Sequence, residues 1–177
     1  VNQIHDMDMR VILDWVPNHT GWDHPWITEH PEYYTQDSLG HVIDPIDPKT
    51  GESWGWTDVA DLNYDNAALR EAMIGEMLFW LEEVGVDGFR CDVAGEVPDD
   101  FWAQAVPQLR AANPELFMLA ESDHPPHRNE EWFAMNYGWE FHHLMNAIAQ
   151  GEQSPLAIDT VLAKKAAVYN RGYFMNF

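Results

Sequence analysis

Three short runs of strand type, separated by helical segments, constrain the fold of this chain more than any other feature. The runs are Met9-Arg-Val-Ile-Leu-Asp-Trp-Val16, Val86-Asp-Gly-Phe-Arg-Cys-Asp92 and Glu115-Leu-Phe-Met-Leu-Ala-Glu121. Between the first two, Leu69, Met73, Met77, Trp80, Leu81 and Val84 recur at three- and four-residue steps, which predicts an amphipathic helix over 66–84 that Gly85 ends. A helical segment over about 99–112 separates the second run from the third, with a bend or division expected at Pro107. A shorter run, Trp132-Phe-Ala-Met-Asn-Tyr137, reads as a fourth strand. Helical segments near 140–150 and 156–170 follow, and another strand begins at Tyr173. Strands alternating with helices specify a parallel α/β architecture. Residues 17–65 break the pattern, being rich in Pro, Gly, Asp, His and Trp with weak periodicity. So long an irregular stretch is usually a functional excursion.

The sheet's chemistry lies at the strand ends. Residues two apart on a strand point the same way, so Phe89 and Cys91 share one face while Arg90 and Asp92 share the other. A fixed cation beside a carboxylate favours its charged form, and an ionised carboxylate on a rigid element suits a covalent nucleophile. The bland alternative is a structural Arg–Asp pair. Asp14, Asp92 and Glu121 each close one of the three best strands. In α/β folds the carboxyl ends of parallel strands form the ligand-binding edge. Two acids flanking a glycosidic bond are the apparatus of sugar hydrolysis, one attacking the anomeric carbon and the other protonating the leaving oxygen. A magnesium or calcium site is the competing reading of clustered carboxylates, and Arg90 opposes it by placing a guanidinium at the same spot.

Composition excludes several classes. A net charge of −21 argues against nucleic acid and against anionic membranes as partners. No apolar run approaches the ~20 residues of a membrane span. The single cysteine, Cys91, excludes an intrachain disulfide and a cysteine-rich zinc site, and leaves the compartment undecided. The start at Val1 and the apolar end Tyr-Phe-Met-Asn-Phe177 read as cuts within a longer polypeptide.

Four segments carry a family resemblance. Asp14-Trp-Val-Pro-Asn-His19, Asp61-Leu-Asn63, Gly88-Phe-Arg-Cys-Asp92 and Leu119-Ala-Glu121 resemble, in order, four signatures of the α-amylase superfamily. The resemblance implies a partial (β/α)8 TIM barrel, about strands 3 to 7, over 1–19 and 61–177. Residues 20–60 would be the B-domain insertion after strand 3. It implies Asp92 as nucleophile, Glu121 as general acid and then base, and Arg90 as the group that orients Asp92. Asp14 and His19 would line the subsite of the ring being cleaved, and Asn18 would be a ligand of structural calcium. The implied substrates are starch- or maltodextrin-type α-glucans or maltooligosaccharides, with retention of configuration and no organic cofactor.

The sequence also departs from the common pattern. Val93-Ala-Gly-Glu96 replaces the Lys-His pair of many starch-cleaving members and is similar to neopullulanase and cyclomaltodextrinase types, which implies that Glu96 touches the leaving-group sugar. Ser122-Asp-His124 is likewise not the commonest form. The family's third acid lies in an Asn-His-Asp motif on the seventh strand, and no such tripeptide occurs here. Tyr173 to Phe177 resembles the start of that strand, so the first two strands and the rest of the barrel would belong to the parent chain, leaving a piece inactive alone. A non-catalytic carbohydrate-binding homologue is the alternative.

Other residues divide between function and packing. His124, His127 and the His142–His143 pair lack a nearby ligand set of known spacing, so solvated histidines are expected there rather than zinc. Trp22, Trp26, Trp54 and Trp56 lie in the excursion, where they either stack sugars or form its own small core.

Overall fold

A computed structural model describes residues 1–47, 50–169 and 173–175. In chain order its elements are α1 (Asn2–His5), β1 (Ile12–Trp15), β2 (His19–Gly21), α2 (Trp26–Glu29), β3 (Val59–Asp61), α3 (Ala67–Phe79), β4 (Gly88–Cys91), α4 (Asp99–Ala112), β5 (Phe117–Ala120), α5 (Pro126–Asn129), β6 (Met135–Tyr137), α6 (Trp139–Ala149), α7 (Ala157–Val168) and β7 (Tyr173–Met175). Residues 176 and 177 of the last predicted strand lie outside the described residues.

The main sheet is five-stranded and parallel, in the order β1-β4-β5-β6-β7. Apart from the β2–β3 pair, that order follows the chain without reversal. Right-handed crossovers then place all connecting helices on one face, which is the wall of a singly wound barrel. The predicted parallel α/β architecture is what the chain adopts. β1 is an edge strand, and Ile12 and Val16 beside it remain 41% and 43% exposed. Among the described residues, no helix is long and apolar enough to cross a membrane.

The helical wall follows from local chemistry. Asn66 caps α3 by accepting from the backbone N–H groups of Ala68 and Leu69, and the helix runs on through a π-helical turn, Trp80–Val84. Gly85 ends it at φ 80°, a left-handed conformation that glycine adopts without a Cβ penalty. Leu69, Met73 and Met77 of α3 meet Phe89, Cys91, Met118 and Ala120 of the sheet in one buried core. Phe101, Trp102 and Leu109 of α4 complete it. Pro107 does not divide α4, because Ala105, Val106 and Leu109 around it are buried and hold the helix in place.

Gly88 lets β4 and β5 close up: a Cβ there would sit 1.9 Å from the Phe117 carbonyl oxygen. The excursion leaves the sheet after β1 and returns through an antiparallel pairing of β2 with β3, His19 opposite Asp61. This hairpin of three-residue strands was not predicted from the sequence. Such strands are too short to show a two-residue period.

Candidate active site

The register of β1, β4 and β5 places the charged groups. Asp14 stands opposite Arg90, and Arg90 stands opposite Leu119, on the face turned away from the helices. Asp14 lies inside β1, whereas Asp92 and Glu121 follow β4 and β5 immediately. The Asp92 N–H donates to the Trp15 carbonyl at 2.8 Å, and the Glu121 N–H donates to the Cys91 carbonyl at 2.9 Å. Both acids are therefore held by the continuing sheet ladder.

Arg90 gathers the acids into one constellation. Its Nη1 donates to Asp92 Oδ1 at 2.6 Å and to Asp14 Oδ1 at 3.0 Å, and its Nη2 lies 2.8 Å from Glu121 Oε2. Its Nε donates to the Tyr137 hydroxyl, at the end of β6, at 3.1 Å. The Arg90 side chain is only 18% exposed. Burial alone would ease its proton off; the hydrogen bonds it donates to Tyr137, Asp92 and Asp14 outweigh that and hold it firmly charged. The sequence pointed to Arg90 beside Asp92. The Glu121 contact and Tyr137 were missed. Tyr137 ends the fourth predicted strand, so its position at the rim was the available signal.

Glu121 is chemically distinct from a solvated carboxyl. Burial pushes its pKa above the usual range, the Val93 N–H (3.1 Å from Oε2) pulls the other way, and contact with Asp92 adds to the rise. Val93 reaches Glu121 through a left-handed backbone, φ 45°. That conformation is rare for a β-branched residue and collects at functional sites. It turns the chain sharply after Asp92 into the 3-10 turn Ala94–Glu96.

The remaining predicted residues divide between this cluster and its flank. His19 is close enough for Asp92 to act on it, although burial dominates and lowers its pKa. Its ring meets Trp56 edge-on, with centroids 5.9 Å apart. Asn18 is buried beside it, and Glu96 is exposed and makes no contact with Arg90; the two line a cavity of about 370 Å3 with Trp54, Asp61, Asn63 and Asp65. Burial raises the Asp61 carboxyl in that cavity to about 6. Asn18, Asp61, Asn63 and Asp65 offer the oxygen donors that calcium takes, so the residue types fit a calcium ion. Trp22 and Trp54 are 41% and 43% exposed, while Trp26 packs edge-on against Tyr33.

The expectation of solvated histidines fails at His127, which is fully buried. Asp99, the first residue of α4, completes a cluster with it and His124. Asp99 lies 25 residues before His124, outside any local ligand spacing.

Parallel strands thus carry two facing acids and a bridging arginine at their carboxyl ends, the edge at which such folds bind ligands. The alpha-amylase catalytic-domain family matches residues 1–168, and the chain belongs to that family. It is 30% identical over 151 residues to an intracellular maltogenic amylase of Bacillus subtilis, covering 82% of this chain and 25% of that one. It is 29% identical over 135 residues to a cyclomaltodextrinase of a Bacillus species, covering 70% and 24%. Among solved structures, a noncanonic maltogenic α-amylase of Thermotoga neapolitana superposes with TM-score 0.86 at 33% identity, covering 99% of this chain and 39% of that one. The chain thus spans about a quarter of the length of the two Bacillus relatives and 39% of the solved one, and the likeness to cyclomaltodextrinase types read from the sequence is present.

Proposed function

We propose that these residues cleave or transfer α-glucosidic bonds of starch- or maltodextrin-type glucans with net retention. Asp92 attacks the anomeric carbon while Glu121 protonates the departing oxygen, leaving a glycosyl ester on Asp92. Glu121, now ionised, then takes a proton from water or an acceptor hydroxyl, which attacks the same carbon and frees Asp92. The observation that carries this reading is the Arg90 bridge. One guanidinium binds the carboxylate that must stay ionised and the one whose burial favours holding a proton. Because the two acids are in contact, a substrate has to part them to the ~5–5.5 Å separation of retaining pairs.

Asp14 and His19 would hold the ring being cleaved, Glu96 the leaving-group sugar, and the exposed faces of Trp22 and Trp54 would stack on sugars further out. Asn18 and Asp61 would hold structural calcium, which supplies rigidity between β1 and the excursion and takes no part in the reaction. Residues 20–60 would act as the B domain on a barrel built from 1–19 and 61–177. These 177 residues alone would turn over little, since the third acid of an Asn-His-Asp motif is not among them. A purely carbohydrate-binding homologue has no need of both Asp92 and Glu121.

The test is the stereochemistry of the first product. Proton NMR of fresh maltooligosaccharide digests by the full polypeptide should show the α-anomer before mutarotation. An initial β-anomer would sink the double-displacement reading.

A further inference from the structure

Asp99 opens α4, while His124 lies in the connection after β5 and His127 in the short α5, yet their ligand atoms all lie within 4.8 Å of one another. His124 Nε2 is 3.1 Å from both Asp99 oxygens, and His127 Nε2 is 3.8 Å from Asp99 Oδ1. Ligands ~2.0–2.1 Å from a tetrahedral zinc are separated from each other by ~3.3 Å, so small side-chain adjustments suffice.

His127 supplies the independent sign. Its side chain is completely buried, its Nδ1 hydrogen-bonds with Ser122 Oγ at 2.7 Å, and its Nε2 has no hydrogen-bond partner, Asp99 Oδ1 at 3.8 Å being too far for one. Buried ring nitrogens without partners are uncommon and require an explanation. An ion pair between His124 and Asp99 accounts for those two groups and leaves this nitrogen orphaned. The Ser122 contact is the second hydrogen bond that metal-bound histidines characteristically make.

Two further features suit a metal. His124 and Asp99 are 42% and 45% exposed, which leaves a path for the ion and room for water as a fourth ligand. Pro125 and Pro126 stand between the two histidines and restrict the backbone, so little freedom remains to be lost on binding.

We propose that Asp99, His124 and His127 form a site for a zinc-type divalent cation that clamps the start of α4 to the segment leading from β5 into α5. The clamp sits behind Glu121, since Ser122 both follows Glu121 in sequence and orients His127. It is separate from the oxygen-donor cavity at Asn18 and does not depend on the glycosidase reading.

Calorimetric titration of zinc chloride into the chelator-stripped, dialysed full polypeptide at neutral pH tests it. One zinc per chain is expected at this site. Binding should weaken on the order of 100-fold in His124→Ala and in Asp99→Asn, about 10-fold in Ser122→Ala, and not at all in the remote control His41→Ala. Both ligand variants alter partly exposed side chains, so circular dichroism should match the parent. Cobalt(II) should give the visible bands of a tetrahedral site, and these should vanish in His124→Ala. Absence of binding at millimolar zinc, or binding unchanged in both ligand variants, overturns the proposal.

Discussion

Replacing Arg90 with methionine removes the one cation that three carboxylates share and keeps most of the side-chain volume. The guanidinium lies 2.6, 2.8 and 3.0 Å from Asp92, Glu121 and Asp14 respectively. These pairs are unequal. Asp14 is 69% exposed, so its pair contributes about 0–1 kcal/mol. Asp92 and Glu121 are only 24% and 21% exposed, and stripping a buried charge of its partner costs about 3–5 kcal/mol. Allowing for the water that reaches both acids, a loss of about 3 kcal/mol at pH 7 is expected. The sign with pH follows from Glu121, whose folded-state pKa already lies above the usual range through burial and rises further without Arg90. A raised carboxyl pKa costs stability where the group is ionised and costs nothing once it is protonated in both states. The deficit should therefore be full above the raised pKa and shrink as pH falls towards ~4. Urea unfolding of the full polypeptide, followed by tryptophan fluorescence at pH 7 and pH 4.5, measures it. A deficit below about 0.5 kcal/mol at pH 7, or one equal at both pH values, rules out this coupling of Arg90 to the two acids.

Other consequences are as direct. Gly88→Ala forces a Cβ to 1.9 Å from the Phe117 carbonyl and should cost on the order of 3 kcal/mol, read as a lower urea midpoint; an unchanged midpoint contradicts the close β4–β5 approach. The high-pH limb of kcat/KM should lie above the ordinary carboxylate range because Glu121 must carry a proton, and Glu121→Gln should abolish that limb along with most turnover. A calcium-selective chelator should lower the melting temperature of the full polypeptide, and Asn18→Ala should remove that sensitivity; an identical melting curve with and without chelator argues against calcium at Asn18.

Periodicity made the helices and parallel strands legible, because α3 and α4 each bury one clear stripe against the sheet. The Arg90–Asp92 juxtaposition was equally readable, since a strand's two-residue period fixes which side chains share a face. Contacts across strands were not. That Arg90 reaches Glu121 depends on register, and register between parallel strands separated by a helix leaves no local mark in the sequence. Val93 looks like an ordinary β-branched residue until its left-handed backbone is seen. Asp99 and the buried His127 escaped because residues far apart in the chain meet only after folding.

The proposed reaction requires a covalent bond between Asp92 and the sugar. Incubating the full polypeptide with an activated fluoro-sugar substrate, chosen so that the glycosyl ester forms faster than it breaks down, should add one glycosyl mass per chain. Peptide mapping should then place that mass on Asp92, and Asp92→Asn should not be labelled. A label on any other residue, or sustained turnover by Asp92→Asn, would contradict the account.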